Sequence, residues 1–389
     1  MTHIVRLAAR GDGVDDLGGF HPLTAPGDTI AGNVITPGPH RVDPACRHFP
    51  RCGGCQLQHI DDASYATFLV DRIAGALAAQ SLSAEIATPH LSPPGTRRRV
   101  ALRALRRGKQ VVLGFAEAGS HTLIDLAQCP VMHPSLFALI KPLRALLPLI
   151  TKDRATADIR MTLTDQGVDM LISGVTAEGL AAAEALSDFA GHHRLARLSL
   201  DEGFGPTARW EPDPVTITLS GVAVPLPEGA FLQATSDGEA TLVAAVREAV
   251  AGSVIDLFAG LGTFTFATGA GHAVEGARDP ALALQSAANR SGRLIKVEHR
   301  DLFRRPMTAA ELKPWDAIII DPPRAGAKEQ IAEIAASHVP IVASVSCNPA
   351  TFARDAKMLV DAGYRIDWIR PVGQFRWSTH AELAARFSC

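Results

Sequence analysis

From Gly238 onward, short apolar runs alternate with helix-forming stretches at the spacing of βα units: residues 254–258, 273–275, 295–298, 317–321 and 341–346. That alternation admits few folds, and it predicts an α/β domain with a mostly parallel, doubly wound sheet. In such a sheet, reactive groups gather outside the carboxyl ends of the strands. Cys347, in Ser346-Cys347-Asn348-Pro349, follows the last of these runs, and Asp321-Pro322-Pro323-Arg324 ends the one before it.

The rest of the chain has a different pattern. Between residues 97 and 227 strands come in pairs: 99–105 with 111–115 around Gly108, and 159–163 with 169–173 around Asp165-Gln166-Gly167. This predicts a mostly antiparallel β-rich region with helices at 134–149 and 177–189. Residues 1–42 are rich in Gly and Pro with β-like pieces at 4–7 and 29–35, which suits a small barrel. Residues 63–80 have helical periodicity, with Asp61 or Asp62 as the cap. Three units are expected: 1–42, 43–227 and 228–389, with the helix at 62–80 packing on the last.

A chain of 389 residues with 47% hydrophobic and 20% charged residues is of the soluble globular class. Its start lacks an apolar signal core, and Lys141 and Arg144 interrupt the most hydrophobic stretch, so a cytoplasmic protein without membrane spans is expected. Six cysteines without an export signal argue for metal binding or catalysis rather than disulfides. The net charge of −2 says little about partners, but residues 97–109 are strongly basic and hold no acid, a footprint suited to a polyanion. Alternation there puts Arg99, Arg103 and Arg107 on one face and Val100, Leu102 and Ala104 on the other.

Asp256-Leu257-Phe258-Ala259-Gly260-Leu261-Gly262-Thr263-Phe264 reads as a strand, a glycine turn and a helix start, with Glu275 at the next strand tip. Glycines let a ligand approach the backbone, and a carboxylate at the second tip can hold both ribose hydroxyls. The third glycine of a dinucleotide fingerprint is absent, and Glu275 comes early. S-adenosylmethionine, which has no pyrophosphate, fits better than NAD. Asp301 could take the adenine amino group, with helix capping as its ordinary alternative, and Asp321 lies toward the sulfonium. Gln233 precedes a helix leading into the first strand and by itself reads as a surface glutamine.

Asp-Pro-Pro followed by Arg324 lacks the aromatic of amino-group methyltransferases. With Cys347 one strand further on, the pattern suits carbon methylation: a thiolate adds to C6 of a pyrimidine and makes C5 nucleophilic. A base must then remove the C5 proton. Glu382 is the candidate, with His380 as its rival.

Cys46, Cys52 and Cys55 lie on a glycine-containing turn, and Cys129-Pro130 supplies a fourth thiol far downstream. Four thiolates suit zinc or an iron–sulfur cluster, and three close cysteines plus a distant Cys-Pro favour the cluster. Cys389 has no assigned role.

Together CxxxxxCGGC, Cys129-Pro130, DLFAGLGTF, DPPRAGA, SCNPATFARD and His380-Ala381-Glu382 resemble the RNA (uracil-5-)-methyltransferases of the RumA/TrmA type. The resemblance is strongest to the iron–sulfur branch that acts on large-subunit ribosomal RNA. It implies a class I Rossmann-like methyltransferase domain, with Cys347 as nucleophile and Glu382 as base. It also implies S-adenosylmethionine contacts at Gln233, Phe258, Thr263, Glu275, Asp301 and Asp321. A [4Fe-4S] cluster would be held by Cys46, Cys52, Cys55 and Cys129, and residues 1–42 would be a short TRAM-like RNA-binding module. The expected partner is RNA, ribosomal before transfer, in a loop or junction where the target base can unstack. No obligate protein partner is implied. A tRNA uracil-5-methyltransferase and an RNA cytosine-C5 methyltransferase are the alternatives, although the latter usually carries Pro-Cys or Thr-Cys at the nucleophile.

Overall fold

The computed structural model describes residues 1–389. Its largest sheet is built by the carboxyl-terminal half from Val254–Leu257 (β1), His272–Glu275 (β2), Lys296–His299 (β3), Ala317–Ile320 (β4), Ile341–Ser346 (β5), Arg365–Gly373 (β6) and Glu382–Ser388 (β7). The strand order is β3-β2-β1-β4-β5-β7-β6, and a short strand, His90–Leu91, pairs outside β6. The first five strands run parallel, while β7 is antiparallel to both β5 and β6. Every residue of β1 and β4 is buried, as strands covered by helices on both faces require.

The terminal hairpin departs from the alternation read in the sequence. Arg365, Asp367, Arg370 and Arg386 interrupt the apolar pattern of β6 and β7, which hides these strands. In the fold they neutralise one another: Asp367 pairs with both Arg365 and Arg386, and Arg370 pairs with Glu248. Helix geometry follows local signals more closely. Asn348 caps Pro349–Asp361 by accepting from the Ala350 N–H at 3.1 Å, with Pro349 at the first turn. Asp61 caps Asp62–Ala78. That helix buries Ile73 and Leu77 in the core of the large sheet, so a segment from the first quarter of the chain supports the carboxyl-terminal half.

A second sheet of six strands has the order Pro206–Trp210, Arg197–Asp201, Gly167–Ser173, Thr156–Thr164, Arg99–Arg107, Gln110–Gly114. It is antiparallel except between Gly167–Ser173 and Arg197–Asp201, which the helix Gly179–His192 joins in parallel. The single helix read at 134–149 is two, Pro134–Phe137 and Ile140–Ile150. Across the parallel pair, Arg197 donates two bonds to Asp169 (2.8 and 2.9 Å) and a third to the Leu226 carbonyl (3.0 Å). Both side chains are about nine-tenths buried. Asp169→Ala would leave the buried guanidinium with the Leu226 carbonyl and the more distant Glu211 and Glu228 (3.8 and 3.9 Å), and is expected to cost about 3 kcal/mol, measured by urea unfolding.

The amino-terminal strands form an antiparallel sheet ordered Phe20–His21, Gly13–Asp15, Thr2–Leu7, Thr29–Ala31, Val34–Thr36. Its two end strands do not pair with each other, so the sheet is open where a barrel was expected. Those strands are two and three residues long, too short to add a closing ladder. No helix in the chain is long and apolar enough to cross a membrane.

Candidate active site

One cavity of about 720 Å³ opens at the carboxyl ends of β1, β2, β4 and β5. Its floor is the turn after β1. There Phe258 (φ 61°), Gly260 (φ 56°) and Gly262 (φ 91°) are left-handed. A Cβ on Gly262 would come within 2.8 Å of the Phe266 ring, so glycine is required there on both counts. Gly260 faces open space. Glu275, at the tip of β2, ties this turn down by accepting from the Gly260 N–H at 2.7 Å and the Ala277 N–H at 2.6 Å. Gln233, Phe258, Thr263, Glu275 and Asp321 all line the cavity.

Cys347 and Glu382 line it too. The antiparallel register of β5 and β7 pairs Ser346 with Leu383, and one further step sets Cys347 opposite Glu382. Glu382 is 3% exposed, and its Oε2 is buried without a hydrogen-bond partner. Burial first, and then the nearby Asp321, hold its carboxyl well above the usual range. Burial pushes Asp321 itself up to about 7. The half-buried Cys347 thiol is raised by burial, by Glu382 and by Asp321, with Arg324 pulling the other way. Three proton-holding groups thus surround one point, at the mouth of which stands a guanidinium.

Asp301 is not among the lining residues. Its carboxylate accepts from the N–H groups of Phe303 (3.0 Å) and Arg304 (3.3 Å) and caps that turn. Phe303 packs against Phe258 with ring centroids 5.4 Å apart and the planes tilted by 57°, so the segment flanks the cavity through its aromatic ring.

Similarity to known proteins bears on this arrangement. The sequence model of the tRNA (Uracil-5-)-methyltransferase family matches residues 295–386, the segment that carries Asp301, Asp321, Cys347 and Glu382. An uncharacterized RNA methyltransferase of Zymomonas mobilis is 50% identical over 395 residues, covering 100% of both chains. The chain belongs to the RNA (uracil-5-)-methyltransferases of the RumA/TrmA type. The 23S rRNA (uracil(1939)-C(5))-methyltransferase RlmD of Pectobacterium atrosepticum is 29% identical over 91% of this chain and 82% of its own. The crystal structure of the Pyrococcus abyssi tRNA (uracil-54, C5)-methyltransferase with S-adenosyl-L-homocysteine superposes over 100% of both chains with a TM-score of 0.74 at 21% identity, a likeness of fold.

The four cysteines of this methyltransferase border a second cavity of about 320 Å³. All are free thiols. Burial pushes Cys55 up to about 12 and raises Cys52 and Cys129, so a cation is needed to hold these sulfurs as thiolates. Gly53 permits the tight turn: its Cβ would lie 2.9 Å from the Ala116 carbonyl. No three His, Cys, Asp or Glu side chains are arranged to hold a single ion. The opposite wall is made by Phe375, Ser378, Thr379 and His380, from the loop that leads into Glu382.

Of the basic strand, Arg103 is taken by Asp158 at 2.8 Å, and Arg107 is exposed at the turn. Arg97, Arg99 and Arg160 instead converge on a third cavity between the other two, together with Phe231 and Phe375. Arg99 donates to the Leu232 carbonyl and lies 5.2 Å from the Phe231 ring centroid. Burial, then Arg98, Arg97 and Arg160, pull its guanidinium down to about 10. The one carboxylate that lines this cavity, Asp169, is taken by Arg197, so Arg97, Arg99 and Arg160 face it without an ion-pair partner, as an anion site requires.

Sequence reasoning missed Phe231 and Asp256. Phe231 is 65% exposed at the cavity rim, an aromatic that folding alone would bury. Asp256 is fully buried beneath the glycine turn, bonded to Thr265 Oγ1 at 2.6 Å, and pushed up to about 7 by burial. The available signal was an acid inside an otherwise apolar strand.

Proposed function

We propose that this enzyme methylates C5 of one uridine in RNA, most specifically in 23S ribosomal RNA, using S-adenosylmethionine. The observation that carries this reading is the placement of Cys347 beside Glu382 across two paired strands, inside a cavity whose far end is closed by Glu275 and the glycine turn. The residues present suit the methyl donor. Glu275 would accept from the ribose, the open face of Gly260 admits the ligand, and Phe258 offers a ring edge to the adenine. When bound, the cofactor supplies an electrophilic methyl group on a cationic sulfonium.

The chain's own part is then as follows. The Cys347 thiolate forms a bond to C6 of the uracil, and the 5,6 double bond becomes an enolate with nucleophilic character at C5. After C5 is methylated, the Glu382 carboxylate takes the C5 proton. The electrons of that C–H bond re-form the 5,6 double bond and expel the Cys347 thiolate. One proton is released per turnover. Burial, with Asp321 adding to it, keeps the carboxyl and thiol raised, and Arg324 opposes this at the sulfur. The reactive forms are the deprotonated ones, so kcat/KM is expected to rise with pH through both raised values. Arg324→Gln removes the cation that lowers the thiol and should move this rise to higher pH, read from a pH–rate profile.

The unpaired Arg97, Arg99 and Arg160 suit the phosphates flanking the target, with Phe231 as a stacking platform. The amino-terminal sheet, with Phe20 and Val34 exposed, would extend the RNA contact. A [4Fe-4S] cluster suits the four cysteines, which bring four soft thiols to the border of one cavity. Its role would be to hold the Cys46–Cys55 turn against the loop before Glu382. Cys129→Ser should lower both iron content and soluble yield, and a soluble, fully active variant without iron would contradict this role.

Ribosomal RNA is favoured over transfer RNA by the similarity to RlmD over most of both chains. The test is a map of 5-methyluridine in total RNA from cells lacking this protein. Loss of one 23S site supports the reading, loss of a tRNA site moves the substrate, and an unchanged map overturns it.

A further inference from the structure

Gln374 directly follows β6 and is 1% exposed, yet nothing in the reaction above employs it. Its side-chain oxygen accepts from two backbone N–H groups, Ala234 at 2.8 Å and Thr235 at 3.3 Å. Those donors decide which end of the amide is oxygen, because the reversed amide would set NH2 against N–H. The nitrogen is therefore turned toward Gln233 and donates to its Oε1 at 2.7 Å. The same logic now fixes Gln233. With its oxygen engaged, its NH2 is left to face the cofactor cavity that it lines. Its backbone is held as well, since its carbonyl accepts from Arg98 Nε at 3.1 Å. The packing around Gln374 leaves no slack: a Cβ on Gly238 would come within 2.8 Å of the Gln374 Cβ.

We propose that Gln374 is a positioning residue that locks Gln233 as a donor only, so that the cavity selects a carboxylate there, that of the cofactor's amino-acid end. The inference rests on the cofactor reading above. It follows from the charges at that end of the cavity. Val372, two residues before Gln374, pairs with Glu382, which places the glutamine pair at the reacting end rather than at Glu275. Asp321 and Glu382 already stand there, so a ligand carboxylate meets carboxyl groups and needs a fixed donor. A glutamine free to turn over could offer either its oxygen or its nitrogen. Held by Gln374, it offers only nitrogen.

The test compares two ligands on the full chain by calorimetry: S-adenosylhomocysteine, and 5′-methylthioadenosine, which lacks the amino-acid carboxylate. Gln374→Glu can still accept from both backbone N–H groups but cannot donate, so Gln233 turns its NH2 toward it and presents its oxygen to the cavity. Binding of S-adenosylhomocysteine should weaken roughly 10- to 100-fold. Binding of 5′-methylthioadenosine should be unchanged. Gln374→Met, which fills the space without hydrogen bonds, should weaken only the first ligand and decides the matter if the Glu variant does not fold. Equal weakening of both ligands, or unchanged S-adenosylhomocysteine binding with a raised KM for RNA, would overturn the proposal. A wild-type chain that binds neither ligand would overturn the cofactor reading beneath it.

Discussion

With Cys347→Ala, methyl transfer to RNA is expected to fall by roughly 10⁴-fold or more, the scale on which removing a covalent nucleophile acts. No other group in the cavity can substitute. The carboxylates of Asp321 and Glu382 are far weaker nucleophiles toward carbon than a thiolate, and the thiols of the cysteine cluster border a different cavity. The loss should be confined to chemistry. Cys347 is half-buried at the end of β5, and a smaller side chain there removes no hydrogen bond between strands. The variant should therefore bind S-adenosylhomocysteine and unfold as the wild type does, measured by calorimetry and thermal denaturation. Residual turnover within about tenfold of wild type would place the nucleophile elsewhere.

Glu382→Gln should fail later in the cycle. Addition and methylation can proceed, but without a base at C5 the methylated adduct cannot collapse. Turnover should drop by roughly 10²- to 10⁴-fold, the usual contribution of a positioned general base. A covalent protein–RNA species carrying one methyl group should accumulate on ordinary RNA, visible as a slow band on a denaturing gel. Stability should move the other way. A carboxyl whose value is raised by folding contributes most when protonated, and that contribution is lost as pH rises through the raised value. The neutral amide carries no such penalty, so Glu382→Gln should be at least as stable as wild type at alkaline pH. If it is equally active and forms no adduct, His380 becomes the base to test.

The parallel half of the large sheet was legible because strands buried on both faces must be continuously apolar, as β1 and β4 are. Placement of Cys347 and Asp321 at one cavity followed, since parallel strands bring their carboxyl ends to the same edge. The hairpin β6–β7 was not legible, because its charged residues are neutralised by partners distant in sequence, such as Glu248 for Arg370. Burial of Glu382 was hidden with it. Asp301 was legible by its position after β3, but the sequence did not show that its Oδ1 also accepts from the N–H groups of its own turn. Gln374 left no trace in the pattern, since its partner Gln233 is 141 residues away. The four cysteines were legible as a set, but the loop that closes their cavity came from the far end of the chain.

The sulfur–carbon bond at residue 347 is tested most directly by incubating the enzyme with S-adenosylmethionine and RNA in which uridine is replaced by 5-fluorouridine. Fluorine at C5 cannot leave as a proton, so the adduct should persist. Digestion and mass spectrometry should then place the methylated fluoropyrimidine on the peptide containing Ser346-Cys347-Asn348. An adduct on any other residue, or methylated fluoropyrimidine released without an adduct, would contradict the account.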